Sequence, residues 1–551
     1  MSRNLVELIR RHHGLDAPSA LDVLKEAMEQ RGEITDADRR AAAERSGLPE
    51  AAVYGVSTFY DDLLAPRGAR HVRVCTGTAC FAASGDEHVD ALRESLGLEL
   101  GERDADGSVS LAETVCLGFC HSAPAVRVTD GERDVIDAGP DAVARVLAGA
   151  PQAAGEPAWS STLAEPVLTR PGDWSGLARV LADGVTPEAL LDEVKAAEIR
   201  GRGGAGFPAG VKWGFARAAA GEEKFIVANG DEGDPGSYID KYLMERNPAL
   251  LLEGMALAAH AVGAAHGFVL VRSEYPRSKP ALEEAAAQAR AAGWLGERFD
   301  VTIVEGAGSY VVGEETALLA CLEGLRGTVS ARPPFPAQEG LYGRPTVVNN
   351  VETLCNVPFV AVHGAAAYHA LSPDSETAGS KLVCFNERFA RPGVYEVPFG
   401  VSMGRLCEEL AGGLRDGRAI KGVQIGGPLG GILPAERLDT LFDFDALAAE
   451  GCMLGHGGIL AFDDATSMRD VARHLLRFGA HESCGKCFPC RIGLRRAHAM
   501  FAADAPPVER GRLEELLETL ELGSLCAHGG GMPAPIRSLL RWWPDELGLA
   551  T

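Results

Sequence analysis

The chain has 551 residues, of which 46% are hydrophobic and 24% are charged. This length predicts more than one domain, and the composition excludes a mainly disordered or fibrous protein. The net charge of −24 repels phosphate backbones and argues against nucleic acid as a partner. Charges interrupt the N-terminal sequence MSRNLVELIRRHHGLDAP, and no apolar run is long enough to span a bilayer. We therefore expect a cytoplasmic protein without direct membrane insertion.

The first part of the chain predicts a helical segment followed by a small α+β domain. Apolar residues recur at helical spacing in residues 1–65, with Asp36 as a possible helix cap. Ala69–Cys75 alternates like a strand, GDEHVDALRESLG has a helical pattern, and SAPAVRVTDGERDVID predicts two strands joined by a turn. We assign residues 1–150 to this domain and expect the Pro-, Ala- and Gly-rich residues 151–172 to be a linker.

Three further segments follow the linker. Helix-like and strand-like stretches alternate over residues 173–355, which is typical of an α/β domain with a layered sheet. Residues 356–445 contain short strands around the helical stretch MGRLCEELAGG and predict a second, smaller α/β domain. Residues 446–551 are mostly helical in pattern. The predicted fold class is therefore α/β with several domains.

The spacing of the 13 cysteines separates them into two kinds. Five lie singly among apolar residues and are expected to be buried without a chemical role; these are Cys321, Cys355, Cys384, Cys407 and Cys452. The other eight form two groups of four, namely Cys75, Cys80, Cys116 and Cys120, and Cys484, Cys487, Cys490 and Cys526. In a cytosolic protein, two such groups indicate metal or iron–sulfur ligation rather than disulfides.

The two groups differ in spacing. The C-x2-C-x2-C pattern with one later cysteine suits a 4Fe-4S cluster, because a zinc site of four cysteines usually has two C-x2-4-C pairs. The C-x4-C and C-x3-C pairs of the first group are compatible with zinc as well as with a 2Fe-2S cluster.

A glycine-rich segment and two acidic turns are candidate ligand contacts. The segment 201–206 formally matches G-x-G-x-x-G but follows a helix-like stretch, so a dinucleotide fold of the usual kind is not indicated. Its backbone and Lys212 could still hold a phosphate, with a flexible loop as the alternative. A buried strand ends in Asn229-Gly-Asp-Glu-Gly-Asp234, and a third strand precedes Tyr310 to Glu315. Such turns lie where α/β proteins place ligands, although solvated acids and helix caps remain alternatives.

Longer motifs resemble a known family. GRGGAGFPAGVKW, ANGDEGDPGSYIDKYLMERNP, GAGSYVVGEETALLACLEG, RPPFPAQEGLYGRPTVVNNVETL, ESCGKCFPCRIG and SLCAHG occur in this order between about Ala164 and Trp543. They resemble the flavin-binding, NADH-oxidising subunit of respiratory complex I and its diaphorase relatives. The N-terminal motifs STFYDDL, VCTGTAC and ETVCLGFCHSAPAV resemble the small thioredoxin-like 2Fe-2S subunit that accompanies that flavoprotein. The chain therefore resembles a fusion of two subunits.

The resemblance implies a fold, cofactors and site residues. The fold would comprise N-terminal helices, a thioredoxin-like domain, an FMN-binding α/β domain, a small ubiquitin-like domain of the SLBB type and a helical 4Fe-4S domain. The residues expected to hold the FMN phosphate are Gly201, Arg202, Gly203, Gly204 and Lys212. Those expected around the isoalloxazine and ribityl chain are Asn229, Asp231, Tyr310, Gly313, Glu314, Asn349, Asn350 and Thr353. Those expected to contact NAD(H) are Phe207, Phe215 and Phe335 through the adenine, and Glu232, Asp234 and Glu315 through the ribose or nicotinamide.

Two points qualify these expectations. Each phenylalanine could instead be an ordinary core residue, and complex I members often carry Glu where this chain has Asp234. All eight cluster cysteines are present, so the resemblance implies one 2Fe-2S and one 4Fe-4S cluster with FMN and NAD(H). No catalytic side chain is expected, because the cofactors carry out the hydride transfer.

The expected function is that of a diaphorase subunit, exchanging hydride between NAD(H) and FMN and single electrons with the clusters. The fused domain order resembles the beta subunit of NAD-dependent formate dehydrogenases, whose molybdenum or tungsten pterin alpha subunit would be the partner. The alternatives are the diaphorase subunit of a bidirectional NAD-linked hydrogenase, with hydrogenase subunits as partners, and the complex I flavoprotein. In each case we expect the partner to carry further iron–sulfur clusters. A redox-inactive assembly scaffold is an alternative of another class.

Overall fold

The N-terminal segment is helical. The computed structural model describes residues 18–131, 133–221 and 223–550, so the expectation for residues 1–17 lies outside the described residues. The helices that follow are α1 (Ala20–Arg31), α2 (Asp36–Ser46), α3 (Glu50–Ser57) and α4 (Asp61–Leu64). Thr35, and not Asp36, caps α2, because the Thr35 side chain accepts a hydrogen bond from the Asp38 N–H while Asp36 is already helical.

The first sheet has five strands in the order β2-β3-β1-β4-β5. The strands are β1 (Arg70–Cys75), β2 (Glu102–Arg103), β3 (Val109–Thr114), β4 (Ala125–Asp130) and β5 (Arg133–Ala138). The helices of this domain are α5 (Thr78–Ser84), α6 (Glu87–Leu96) and α7 (Ala142–Leu147). The central strand β1 is parallel to β3 and antiparallel to β4.

The second sheet is parallel and has four strands in the order β10-β7-β8-β9. The strands are β7 (Phe225–Gly230), β8 (His266–Val271), β9 (Asp300–Glu305) and β10 (Thr346–Asn350). The helices of this segment are α8 (Ser175–Ala182), α9 (Pro187–Ala196), α10 (Ala209–Ala218), α11 (Ile239–Arg246), α12 (Pro248–Val262), α13 (Ser278–Ala291), α14 (Glu315–Leu322), α15 (Val351–Cys355), α16 (Val357–His363) and α17 (Ala365–His369). Since α12 is apolar almost all round, it is buried.

The third sheet has six strands in the order β14-β13-β15-β11-β12-β6. The strands are β6 (Ala158–Ser161), β11 (Ser380–Phe385), β12 (Gly393–Pro398), β13 (Ile420–Ile425), β14 (Ile432–Pro434) and β15 (Gly458–Asp463), with α18 (Phe444–Ala449) before β15. Two of these strands lie outside the segment expected to form this domain. Strand β6 falls within the expected linker, and β15 falls within the segment expected to be helical. Both join the sheet by backbone pairing, which a short sequence pattern does not reveal.

The chain ends in a helical region. Its helices are α19 (Met468–His481), α20 (Phe488–Met500), α21 (Arg510–Gly523), α22 (Ala527–Gly531) and α23 (Pro533–Trp542). In the described part of the chain, every helix is too short or too polar to cross a bilayer. The cytoplasmic location stays a prediction.

Buried polar contacts fix the first domain against the second. Arg272 donates from Nη2 to the Val115 carbonyl at 2.7 Å and from Nη1 to the Glu232 carbonyl, and it pairs with Glu274 at 2.7 Å. The N-terminal helices attach through Tyr60, whose buried hydroxyl donates to the Leu325 carbonyl at 2.6 Å. The 2Fe-2S candidate cysteines are thereby held next to the second sheet.

Candidate functional site

The carboxyl end of the second sheet brings together several of the predicted site residues. Parallel pairing places Asn229 at the end of β7 directly opposite Asn350 at the end of β10. Asn229 donates from Nδ2 to the Gly313 carbonyl at 2.8 Å, which draws the Tyr310–Glu314 segment to the same edge. Next to Asn350, Asn349 accepts a hydrogen bond from Nε1 of the buried Trp213 at 2.7 Å. This edge is the centre of the candidate site.

The glycine-rich segment lies against this edge. A Cβ on Gly203 would come within 3.0 Å of the Asn350 Cβ, so the backbone passes too close for a side chain. Gly204 has φ +120°, and a Cβ there would meet no atom within 4 Å. It faces open space, where a ligand can approach the backbone. The antiparallel bridge between Gly204 and Gly455 connects the segment to the third sheet.

Arg202 and Thr353 hold the glycine-rich segment in place. The Arg202 backbone N–H donates to the Thr353 Oγ1 at 2.8 Å. The Arg202 side chain is fully buried and donates to the Tyr368 hydroxyl at 2.9 Å and the Ser380 carbonyl at 3.0 Å. The guanidinium is thus bonded inside the protein, although sequence reasoning expected it at a phosphate.

Lys212 lies on α10, which begins just after the glycine-rich segment. Its Nζ is 3.2 Å from the Glu315 Oε2 and 3.0 Å from the Val348 carbonyl. Arg332 reaches Glu315 from the other side at 2.7 Å. Glu314 caps α14, because its Oε2 accepts the N–H groups of the first turn, while its buried Oε1 has no hydrogen-bond partner in the described part of the chain. Arg332 Nη2 is also 3.8 Å from that Oε1, so this arginine reaches both glutamates.

Two predicted acids after β7 differ in their surroundings. Asp231 is buried, and this burial raises the pKa of its carboxyl to about 8. Its Oδ2 has no hydrogen-bond partner among the residues described. Glu232 is paired instead, because its carboxylate accepts the Ile239 N–H at 2.7 Å and the Lys241 N–H at 3.0 Å. Glu232 thus caps α11 and does not offer the free oxygen that a contact to NAD(H) was expected to use.

Asp234 has a partner that sequence reasoning missed. Its Oδ2 is 2.6 Å from Nδ1 of His456, which lies on the loop before β15. The other ring nitrogen of His456 is 3.8 Å from the Asp240 Oδ2. His456 and Asp234 are 222 residues apart, so no local pattern connects them.

The three phenylalanines expected near adenine are not core residues. Phe207, Phe215 and Phe335 are 46%, 59% and 51% exposed. Val211, one turn before Phe215 on α10, is also exposed. Exposure of several large apolar side chains near Lys212 leaves aromatic faces free for stacking on a base.

The first cysteine group is assembled on one flank of this site. Cys75, Cys80, Cys116 and Cys120 are all buried, and the Cys116 and Cys120 sulfurs are 3.6 Å apart. The pKa of Cys75 is lowered to about 6, chiefly by a hydrogen bond from the Cys80 thiol and then by nearby backbone N–H groups. The Cys116 sulfur is 3.8 Å from the carbonyl of Ser237, in the turn that also carries Asp234.

The second cysteine group is assembled on the other flank. Cys484 and Cys490 are buried, and Cys487 and Cys526 are partly exposed. Cys484 packs with Val311 and Ala317, which border the Tyr310–Glu314 segment. Tyr310 also contacts this region, since its ring lies 4.9 Å from Phe478 and 5.6 Å from His528, both measured between centroids.

The donor sets fit the groups that the sequence implies. Four thiols in each group match the four ligands of an iron–sulfur cluster. Open space over Gly204, the Lys212 ammonium and the unpaired Asp231 oxygen suit a ligand with a phosphate and hydroxyl groups. The two cysteine groups flank this space.

Comparison with protein families identifies three matching regions. Residues 6–150 match the thioredoxin-like [2Fe-2S] ferredoxin model, and residues 194–359 match the Nuo51 FMN-binding domain. Residues 470–549 match the iron–sulfur binding region of NADH-ubiquinone oxidoreductase-F. These matches confirm the predicted fold class and the predicted FMN, 2Fe-2S and 4Fe-4S cofactors.

Individual relatives extend these matches. The chain is 42% identical over 387 residues to an F-type subunit of the NADH-quinone oxidoreductase of Rhizobium meliloti, covering 68% of this chain and 91% of the relative. It is 39% identical over 384 residues to the HndC subunit of the NADP-reducing hydrogenase of Solidesulfovibrio fructosivorans, covering 68% of this chain and 78% of the relative. Among solved structures, a chain of an NAD+-reducing [NiFe]-hydrogenase in the H2-reduced state superposes with a TM-score of 0.85 at 31% identity. That superposition covers 97% of this chain and 93% of the other.

Proposed function

The chain belongs to the family of F-type subunits of NADH-quinone oxidoreductase and related diaphorases, and from this premise we propose how its site works and which enzyme it serves. It is an NAD-dependent oxidoreductase subunit with FMN and iron–sulfur clusters. The observation that carries the proposal is that both cysteine groups contact the candidate site, Cys116 through the Ser237 turn and Cys484 through Val311. A two-electron donor bound there would have a one-electron carrier on each flank.

The residues of the site divide into three tasks. The backbone at Gly203 and Gly204, with Lys212, binds the FMN phosphate, while Arg202 holds that loop from behind. The Asp231 Oδ2, and the Glu314 Oε1 that has only Arg332 nearby at 3.8 Å, accept hydrogen bonds from the flavin and its ribityl hydroxyls. When bound, FMN exchanges a hydride with NAD(H) and passes electrons singly to the clusters.

NAD(H) binding falls to the exposed aromatic residues and to the acids beside them. Phe207, Phe215 and Phe335 offer faces to the adenine, and base stacking on an aromatic side chain contributes on the order of 1–3 kcal/mol. Asp234 and Glu315 contact the ribose or nicotinamide. Glu232 supports the site indirectly, because it fixes the start of α11.

An exposed apolar surface marks where the partner subunit docks. Phe488 and Leu522 are 76% and 78% exposed, and Ile492 and Leu525 are also exposed. The surface adjoins the partly exposed Cys487 and Cys526, which would ligate the 4Fe-4S cluster. The exposed basic side chains that border it are Lys486, Arg491, Arg495 and Arg496. The chain as a whole carries a charge of −24. We expect an iron–sulfur partner with an acidic, apolar face, since exposed apolar patches of this kind mark interaction sites.

The partner is proposed to be the molybdenum or tungsten pterin subunit of a formate dehydrogenase. The fused 2Fe-2S and flavoprotein domains in one chain support this proposal, as they resemble beta subunits of such enzymes. The second candidate is an NAD-linked hydrogenase, favoured by the likeness to a hydrogenase chain along nearly the full length. A complex I partner is less favoured, because the match to the Rhizobium meliloti relative covers only 68% of this chain.

The first experiment tests the diaphorase itself. The chain is purified anaerobically, and its flavin, its iron and its NADH-driven dye reduction are measured. We expect one FMN and about six irons, four from one cluster and two from the other. Lys212→Ala should lower FMN retention, whereas the matched control Lys279→Ala, at an exposed lysine of α13, should not. A folded chain without flavin and iron would support the scaffold alternative and refute the proposal.

The second experiment tests the partner. The complex is isolated from its own cells through a tag on this chain, and NAD+ reduction is assayed with formate and with H2. Formate-dependent reduction supports the first candidate, and H2-dependent reduction supports the second and refutes the first. Phe488→Asp and Leu522→Asp should release the partner while dye reduction by the chain persists. The control Leu441→Asp, at another exposed leucine, should retain the partner.

A further inference from the structure

His456 is a partly buried histidine that the proposed function leaves without a task. Its loop is fixed on two sides, because the neighbouring Gly455 bridges to Gly204 and Lys381 donates to the His456 carbonyl at 2.7 Å. The histidine therefore lies beside the glycine-rich segment, and its position does not depend on its own side chain.

The imidazole lies between two carboxylates. Nδ1 is 2.6 Å from the Asp234 Oδ2, and Nε2 is 3.8 Å from the Asp240 Oδ2. Asp240 is itself fixed, because it accepts hydrogen bonds from the Asn350 side chain and from the Glu352 N–H at 3.2 Å. A series of contacts thus runs from β10 through Asp240 and His456 to Asp234.

The charges around His456 favour the imidazolium. Burial by itself lowers the pKa of His456, but Asp234 and then Asp240 outweigh it and raise the pKa to about 9. The charged groups that face the ring or its loop from the surrounding elements are Asp234, Asp240, Glu232, Glu352 and Lys381. Burial raises the pKa of Asp240 to about 8, so Asp234, 2.6 Å away, is the main partner that keeps the proton on the ring at neutral pH.

Asp234 has little freedom beside this ring. A Cβ on Gly427 would come within 2.6 Å of the Asp234 Cγ, so the backbone of the third sheet closes in from that direction. The carboxylate is 8% exposed, with the His456 ring on its Oδ2. The His456 ring and the Gly427 backbone therefore restrict where this carboxylate can point.

We infer that His456 is a positioning residue for NAD(H), holding the Asp234 carboxylate in one orientation at the nucleotide site. The inference rests on the proposed function, in which Asp234 contacts the ribose or nicotinamide. A carboxylate fixed in this way is already oriented to accept a hydrogen bond from the nucleotide hydroxyl or amide. His456 acts through Asp234 and does not need to touch the nucleotide.

The test is a double-mutant cycle on the FMN-loaded chain. His456→Gln should raise KM for NADH about tenfold, the order expected when a hydrogen bond to a charged group is lost. FMN content should be unchanged and kcat should stay within about twofold. Adding His456→Gln to Asp234→Asn should cause no further rise, because the two residues form one unit. His363→Gln, at a partly exposed histidine near Glu165, is the matched control and should leave KM unchanged.

The dependence of KM for NADH on pH is a further test, because a merely structural role of His456 would not change it. In the unmodified chain, KM for NADH should rise as the pH passes about 9, where His456 loses its proton. In His456→Gln this rise should be absent. If His456→Gln does not fold, Asp240→Asn keeps the inference testable, since loss of the second carboxylate should shift the rise to lower pH.

Three results would overturn the inference. The first is that His456→Gln and Asp234→Asn raise KM additively when they are combined. The second is that His456→Gln leaves KM unchanged. The third is that neither His456→Gln nor Asp240→Asn alters the pH profile. An unmodified chain without FMN or NADH oxidation would instead refute the proposed function, so the two failures are distinguishable.

Discussion

Lys381 anchors the loop that carries His456, and its replacement tests how that loop is held. Lys381 and Glu352 are both buried and form an ion pair, and Lys381 also donates to the Leu382 carbonyl at 2.9 Å and the His456 carbonyl at 2.7 Å. Lys381→Met keeps most of the length of the side chain but removes its charge and its donors. Removing one partner of a buried ion pair costs about 3–5 kcal/mol, because the other charge stays buried without compensation.

The loss should be largely recovered when the second charge is removed as well. We expect Lys381→Met to lower the free energy of unfolding by about 3–5 kcal/mol, and Lys381→Met with Glu352→Gln to lower it by clearly less. Urea unfolding, monitored by tryptophan fluorescence, measures both free energies of unfolding, provided that their dependence on urea concentration has the same slope in all variants. Lys381→Met should also release FMN at a lower urea concentration than the unmodified chain does, since the loop that Lys381 anchors bridges to Gly204. A loss below about 1 kcal/mol in the single variant, the range of exposed pairs, would refute the reasoning.

Further predictions concern acidity, an unpaired acid and the clusters. Burial alone would raise the pKa of Asp62, but Arg73, 2.6 Å away, and a second arginine hold it well below its ordinary value of 3.8. The stability that this pair contributes is therefore present above about pH 4 and lost as the pH falls below it, and Arg73→Met should flatten that part of a melting-temperature profile. Because the pKa of Asp231 is raised to about 8, its burial costs stability as the pH rises from about 4 to 8. Asp231→Asn should raise the melting temperature of the FMN-free chain at pH 8 and weaken FMN binding in a fluorescence titration. Cys484→Ser should leave about two irons and Cys116→Ser about four, each with loss of one set of signals in electron paramagnetic resonance.

Much of the fold follows from local sequence. The alternation of strand-like and helix-like stretches correctly predicted β7, β8, β9, α12 and α13, and β7 and β8 are buried along almost their whole length. The cysteine spacing predicted both cysteine groups, since most cysteines of each group are close to another in sequence, although Cys526 lies 36 residues after Cys490. Motif likeness then supplied the cofactors, which the family models confirm.

What the sequence could not supply depends on contacts between distant residues. Asp234, His456 and Asp240 meet only because the third sheet packs against the second. The structure shows that Glu232 caps a helix and that the Arg202 guanidinium is bonded inside the protein. Residue type alone could not show this, because an acid or an arginine in such a motif can equally well contact a ligand. Strand β6 was hidden in a linker-like composition, since its partner β12 lies far along the chain. The signal available for His456 was its place in a glycine-rich loop, which is weak.

The pairing of β6 with β12 has a consequence for the growing chain on the ribosome. Strand β6 is made early, but its partner is completed about 230 residues later. At a synthesis rate of about 5–20 residues per second, β6 waits on the order of 10–50 s without its neighbour. The 2Fe-2S domain is complete before that interval begins, so it can fold and acquire its cluster first. When β12 has been made, β6 pairs with it and joins the third sheet. That sheet is complete only after β15 has been synthesised.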